Sequence, residues 1–140
     1  MTAELYNDAI LAEAKAGHAN GRLDAPDVTV TCDNPLCGDR VTVDLRLDQG
    51  YATQIGQHTR GCLLTQAAAS VVGRHATGGS AVEVEAVIHE LRRLLAGEAV
   101  EPRWPELAMF VPVSAVRSRH ECVLLPLEAL QAALTKGRGG

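Results

Sequence analysis

The sequence predicts an α+β fold in which a three-stranded antiparallel sheet packs with four to five helices. Three observations carry this. Residues 28–32 and 41–48 alternate apolar and polar side chains, and a third strand follows over Tyr51 to His58, so three consecutive strands with short connections suggest a meander. The flanking stretches repeat apolar residues at helical spacing. The chain has 140 residues, 46% of them hydrophobic and 21% charged, enough for one core that needs no staples. A single domain is expected over residues 1–135, with 136–140 as a disordered tail.

The elements follow in order. Ala3 to Lys15 reads as a helix on Leu5, Ala9 and Ala12, with Thr2 as N-cap. Gly17 to Asp27 reads as loop. In the first strand, 28–32, Val28, Val30 and Cys32 face inward. Asp33 to Asp39 carries the turn chemistry of Asn-Pro and Cys-Gly. The second strand then places Val41, Val43, Leu45 and Leu47 inward, and Thr42, Asp44, Arg46 and Asp48 outward. Gln49-Gly50 turns into a third strand over Tyr51 to His58. After Gly61, Cys62 to Val72 has strong helix propensity, and Gly73 to Gly79 reads as loop. Ser80-x-x-Glu83 is a capping box for the amphipathic stripe Val84, Val87, Ile88, Leu91, Leu94 and Leu95, which Gly97 ends. The preceding Gly78-Gly79-Ser80 reads as an ordinary linker with an N-cap; an anion site there is the alternative. Glu101 to Pro112 is punctuated by prolines, with one helical turn over Pro105 to Met109. The last helix is expected from about Ala115 to Leu134, kinked or restarted near Leu125 by Pro126.

Composition excludes several classes of function. The net charge is −4, no basic block stands out and aromatics are 3%, which argues against a nucleic-acid partner. No apolar run approaches the ~20 residues of a membrane helix. Met1-Thr2-Ala3-Glu4 lacks the basic-then-apolar order of a signal peptide. The expectation is a soluble, cytoplasmic protein without a membrane partner. No phosphate-binding glycine loop, Ser-His-Asp order or H-E-x-x-H segment occurs.

Four cysteines remain: Cys32, Cys37, Cys62 and Cys122. In a reducing compartment such residues are packing groups, metal ligands or reactive thiols. Their separations are five, 25 and 60 residues, so a thiol site would have to gather distant segments. Cys62 stands at a predicted helix start, where free N–H groups favour a thiolate; a small buried packing residue is the other reading. Cys37 and Asp39 flank Gly38 and offer sulfur and oxygen to zinc or ferrous iron; a buried Cys beside a solvated turn Asp is the alternative. Cys122 lies in the last predicted helix, where Cys is usually core; adjacent helix positions diverge by roughly 100°, so His120, Glu121 and Cys122 cannot all point into one site. Cys32 reads as core. His18, His58, His75 and His89 show no mutual spacing that suggests a site.

Taken together, three segments resemble the SufU/IscU/NifU-type iron–sulfur cluster assembly scaffolds. Asn34-Pro35-Leu36-Cys37-Gly38-Asp39 is similar to the family's N-P-x-C-G-D turn. Gly61-Cys62-Leu63-Leu64-Thr65-Gln66 is similar to its G-C helix entry. Arg119-His120-Glu121-Cys122-Val123-Leu124-Leu125 is similar to the R-x-K-C-x-x-L segment of the SufU branch. The 60-residue gap before Cys122 also suits that branch, which carries an insertion there. Glu121 stands where the SufU branch has Lys and IscU-type proteins have a His ligand. A negative charge there disfavours a thiolate on Cys122 and favours a nearby cation.

The resemblance implies a metal site of Cys37, Asp39, Cys62 and Cys122 holding zinc or iron, with the three thiols carrying a nascent [2Fe–2S] cluster. It implies a PLP-dependent, SufS-like cysteine desulfurase as sulfur donor, and apo iron–sulfur proteins or other assembly factors as recipients. Cys37 is the candidate sulfur acceptor and Cys122 the alternative. The function so implied is a scaffold or a zinc-dependent sulfurtransferase. The competing reading is a structural zinc-binding interaction module of the same fold without sulfur transfer.

Overall fold

The computed structural model describes residues 7–139. Helix α1 is Asp8–Ala16, strands β1, β2 and β3 are Val28–Asn34, Asp39–Asp48 and Tyr51–Arg60, and helices α2 and α3 are Leu63–His75 and Ala81–Leu95. Two 3₁₀ segments, Pro105–Ala115 and Arg117–Arg119, lead into helix α4, His120–Gly139. The strands form an antiparallel sheet in the order β1-β2-β3, so the α+β expectation holds.

The β2–β3 hairpin closes on Gln49 and Gly50, both with positive φ (51° and 84°), the two-residue connection whose twist matches the strands. The β1–β2 connection is longer. Asn34 begins it by accepting from the Leu36 N–H at 3.1 Å through its side chain and from the Gly38 N–H at 2.8 Å through its carbonyl. Gly38, at φ 76°, takes the left-handed conformation that returns the chain to β2. Pairing extends to Asn34↔Asp39, so both strands reach further into the turn than alternation predicts.

Helix α4 lies across β1 and β2, α2 packs on β3 and α4, and α1 packs on α2. Val41, Val43 and Leu45 of β2, Leu64, Ala67, Ala68, Val71 and Val72 of α2, and Val123, Leu127 and Leu130 of α4 meet in the core. Helix α2 is buried on nearly every side, and its small residues permit that. Glu13 Oε2 of α1 accepts from Ser70 Oγ and Arg74 Nε, each at 2.8 Å.

Several expectations are corrected. Asn7 is extended and its side chain accepts from the Ile10 N–H, so the described helix starts at Asp8; the proposed Thr2 cap lies outside the described residues. Gly73 is helical, because α2 runs to His75. A Cβ at Gly73 would lie 2.2 Å from the His18 carbonyl oxygen, so this glycine marks close packing and not a break. The 3₁₀ run from Pro105 is longer than one turn, and Val116, at φ −124° and ψ 84°, separates it from the next segment. The last helix therefore begins at His120 and not near Ala115. It then runs unbroken through Pro126, whose missing N–H leaves the Cys122 carbonyl without its i+4 partner. The helix continues to Gly139 and Lys136 Nζ donates to the Thr29 carbonyl.

The outward face of β2 is also partly covered, while Arg46 and Asp48 stay exposed. Asp44 is fully buried and Thr42 nearly so. Asp44 accepts from Arg22 Nε (2.5 Å), Arg22 Nη2 (3.1 Å), the Leu23 N–H (3.1 Å) and Thr29 Oγ1 (2.6 Å). The segment around Arg22 covers this face and supplies the partners that a buried carboxylate requires. Among the described residues no helix is long and apolar enough to cross a membrane.

Candidate metal centre

Three elements bring the thiols together. The β1–β2 turn holds Cys37 at its tip and Asp39 at its exit. Because α4 crosses β1 and β2, its first turn reaches this tip and delivers Cys122. Cys62 is the extended N-cap residue of α2. Cys37 Sγ lies 3.8 Å from Cys122 Sγ. Ligand atoms of Cys37, Asp39 and Cys122 all lie within 4.8 Å of one another. Cys37 is exposed, while Asp39 and Cys122 are buried.

Cys62 stands beside this trio. Its sulfur lies 3.5 Å from Thr65 Oγ1. The neighbouring Cys122 thiol is the main reason its thiol is held well below the usual range; burial opposes this, and the backbone N–H groups of Thr65 and Leu64 reinforce it. Cys122 shifts the opposite way, pushed up first by the neighbouring Cys62 thiol, then by burial and by Asp39. Cys62 stands at the helix N-terminus that the sequence leads one to expect, and its thiol is held below the usual range. The shift of Cys122 is traced to Cys62, burial and Asp39, whereas the charge of Glu121 acts on Glu128.

Asp39 is the hub. Burial raises its pKa, but hydrogen bonds from Cys37, Thr65, Cys122 and the Cys62 N–H outweigh that and hold the carboxyl below its ordinary value. Thr65 Oγ1 donates to Asp39 Oδ2 at 2.8 Å. Gly61 packs against the same group: a Cβ there would lie 2.8 Å from Asp39 Oδ1. Sequence reasoning missed Thr65 and treated Gly61 only as a chain break. The available signal was a hydroxyl residue on the first turn of a helix capped by Cys.

The remaining candidates lie elsewhere. Cys32 packs against the core from β1, and burial, then Glu128 and Asp33, push its thiol up. His120 donates from Nε2 to the carbonyls of Val113 (3.0 Å) and Ser114 (3.2 Å), which occupies that nitrogen. His75 bonds Glu106 at 2.6 Å and stacks on Trp104. Ser80 accepts from the Glu83 N–H at 3.4 Å, a plain helix cap.

The donor set fits a thiophilic cation. In a tetrahedral centre with Zn–S bonds of about 2.3 Å, neighbouring sulfurs stand about 3.8 Å apart, the separation found between Cys37 and Cys122. Such a cation binds the deprotonated thiols.

Residues 5–104 match the NifU-like N-terminal domain. The chain is 27% identical over 133 residues to the iron–sulfur cluster assembly scaffold protein IscU of Thermotoga maritima, covering 94% of each chain. It is 23% identical over 138 residues to the zinc-dependent sulfurtransferase SufU of Bacillus subtilis, covering 97% of this chain and 93% of that one. The crystal structure of a NifU-like N-terminal protein from Brucella abortus superposes with a TM-score of 0.89 at 31% identity, over 99% of this chain and 96% of that one. A scaffold protein described for the SUF system of Fervidobacterium islandicum shares the fold, with a TM-score of 0.86 at 21% identity over 96% and 99%. The chain belongs to the NifU-like N-terminal domain family of iron–sulfur cluster assembly scaffolds.

Proposed function

We propose that this protein accepts persulfide sulfur from a PLP-dependent cysteine desulfurase and holds zinc, iron or a nascent [2Fe–2S] cluster on Cys37, Cys62 and Cys122, with Asp39 as the oxygen ligand to the metal. Sulfur or cluster then passes to apo iron–sulfur proteins. The observation that carries the reading is the exposed Cys37 thiol at 3.8 Å from the buried Cys122 thiol, with Asp39 beside both. The 60-residue separation of Cys62 and Cys122 and the similarity to a zinc-dependent sulfurtransferase support a reading nearer the SufU branch.

A bound cation supplies charge that keeps the thiols ionised and lowers their mutual repulsion. The chain's own residues divide the remaining work. Cys37, at the tip of a turn, is the thiol an incoming protein reaches first. Its thiolate attacks the outer sulfur of the donor's persulfide. A new S–S bond forms on Cys37, the donor's S–S bond breaks, and the donor leaves as a thiolate, with no net redox change. Buried Cys122 and half-buried Cys62 stay behind as anchors. Asp39, a hard oxygen donor among soft sulfurs, is the ligand most readily exchanged.

The test follows ³⁵S from labelled cysteine through a desulfurase to this protein. Label on Cys37, lost in Cys37→Ser and kept in Cys32→Ser, is expected. Label that reaches Cys122 undiminished in Cys37→Ser would transfer the acceptor role to Cys122. No label on any thiol, with zinc still bound, would leave a structural zinc module.

A further inference from the structure

We infer that Thr65 is a positioning residue for the metal centre: its hydroxyl holds one oxygen of Asp39 so that the carboxylate serves as a one-oxygen ligand among the thiols. The inference rests on the metal-binding reading above.

Thr65 has no solvent exposure, so its hydroxyl must find its partners inside the protein. It donates to Asp39 Oδ2 at 2.8 Å and stands 3.5 Å from Cys62 Sγ. A hydroxyl carries one hydrogen. The shorter contact and the anionic oxygen assign that hydrogen to Asp39, so the hydroxyl engages Oδ2.

The segment that delivers Cys62 clamps the same carboxylate in two further ways. The Cys62 N–H donates to it. Gly61 closes over it, since an added Cβ would lie 2.8 Å from Oδ1 and 3.0 Å from both Asp39 Cγ and Thr65 Cβ. One short stretch of chain therefore supplies a thiol and also aims the oxygen ligand that arrives from another strand. A carboxylate fixed at one oxygen favours four-coordinate geometry. A carboxylate free to turn offers both oxygens and a fifth bond. Groups that orient ligands in this way typically change metal affinity by about 10–100-fold when removed.

The experiment uses the full chain with zinc, read by competition against a chromophoric chelator, and with cobalt(II), whose visible bands are intense in four-coordinate and weak in five-coordinate sites. Thr65→Ser and Thr65→Ala both lose the methyl group and differ in the hydroxyl alone. Thr65→Ser is expected to keep the parent's cobalt spectrum and zinc affinity. Thr65→Ala and Thr65→Val are expected to lose about 10–100-fold in affinity, with weaker cobalt bands. In an Asp39→Ala background, removing the hydroxyl is expected to add nothing, because Thr65 acts through Asp39. Unfolding of the metal-free proteins separates site from fold: should Thr65→Val not fold, the Ser/Ala pair decides. Equal zinc affinity in Thr65→Ser and Thr65→Ala overturns the inference, as does a hydroxyl effect that persists in full without Asp39. A parent protein that binds no zinc or cobalt overturns the metal-binding reading as well.

Discussion

Gly61→Ala is a substitution whose consequence follows from three distances. Gly61 does not have a positive φ, so alanine meets no backbone strain there. The obstacle is what lies over its Cα. The new methyl would sit 2.8 Å from Asp39 Oδ1, 3.0 Å from Asp39 Cγ and 3.0 Å from Thr65 Cβ. Carbon atoms rest at about 3.5–4.0 Å, so the two carbon contacts are short by roughly 0.5–1 Å. Thr65 is fixed in the first turn of a buried helix. The Asp39 carboxylate therefore has to yield, turning away from its hydrogen bonds to Thr65 and the Cys62 N–H. The cost to folding should be that of modest overpacking, about 1–3 kcal/mol. The cost to zinc should be about 10–100-fold in affinity, or about 1.4–2.8 kcal/mol of binding free energy. Chelator competition measures the second and thermal unfolding of the metal-free protein the first. Zinc affinity within twofold of the parent would refute the reasoning, because the carboxylate would then have moved without mattering or would never have been packed against Gly61.

Three other substitutions test separate parts of the structure. Gly73→Ala places a methyl 2.2 Å from a backbone carbonyl, so it should destabilise the fold by more than Gly61→Ala while leaving zinc affinity of the folded protein unchanged; chelator competition and chemical denaturation measure the two effects. Asp44→Asn should cost roughly 3 kcal/mol in urea unfolding at neutral pH, because it weakens a buried carboxylate's bonds to Arg22, Thr29 and Leu23. Burial raises the Asp44 pKa but Arg22 and the other donors hold it below the ordinary carboxylate value. Its stabilisation is thus fully present above the unfolded pKa of about 3.9 and is lost as pH falls through the lower folded value. The stability gap between parent and Asp44→Asn should narrow over that acid range. Cys32→Ser should leave metal content unchanged, since Cys32 packs on the core away from Cys37 and Cys122.

Much of the architecture was legible because local signals agreed with the fold. Alternation located the first two strands, the Gln49-Gly50 turn introduced the third, and Ser80 and Gly97 bracketed α3. What was not legible depends on contacts between distant segments. Asp44 alternates as a solvent-facing residue, but the stretch around Arg22, which reads as loop, covers it. Gly73 reads as a breaker because glycine breaks isolated helices. Here it is needed so that α2 can meet the carbonyl of His18. The long 3₁₀ run has no apolar period of its own to announce it. In the candidate site, the Cys37–Gly38–Asp39 turn and the helix entry at Cys62 were visible as local chemistry. Their meeting with Cys122, across 60 residues, was not; only the resemblance implied it. Thr65 was invisible because its role exists only once Asp39 is folded against it.

The central claim is that Cys37, Asp39, Cys62 and Cys122 hold a metal. Elemental analysis of protein purified without added metal, paired with its ultraviolet–visible spectrum, tests it most directly. The account predicts about one zinc per chain without visible absorbance, or iron and sulfide with a broad visible band, in the parent and in Cys32→Ser, with sharp loss in Cys62→Ser and Cys122→Ser. Four free thiols and no metal in the parent, or full metal retained in Cys122→Ser, would contradict it.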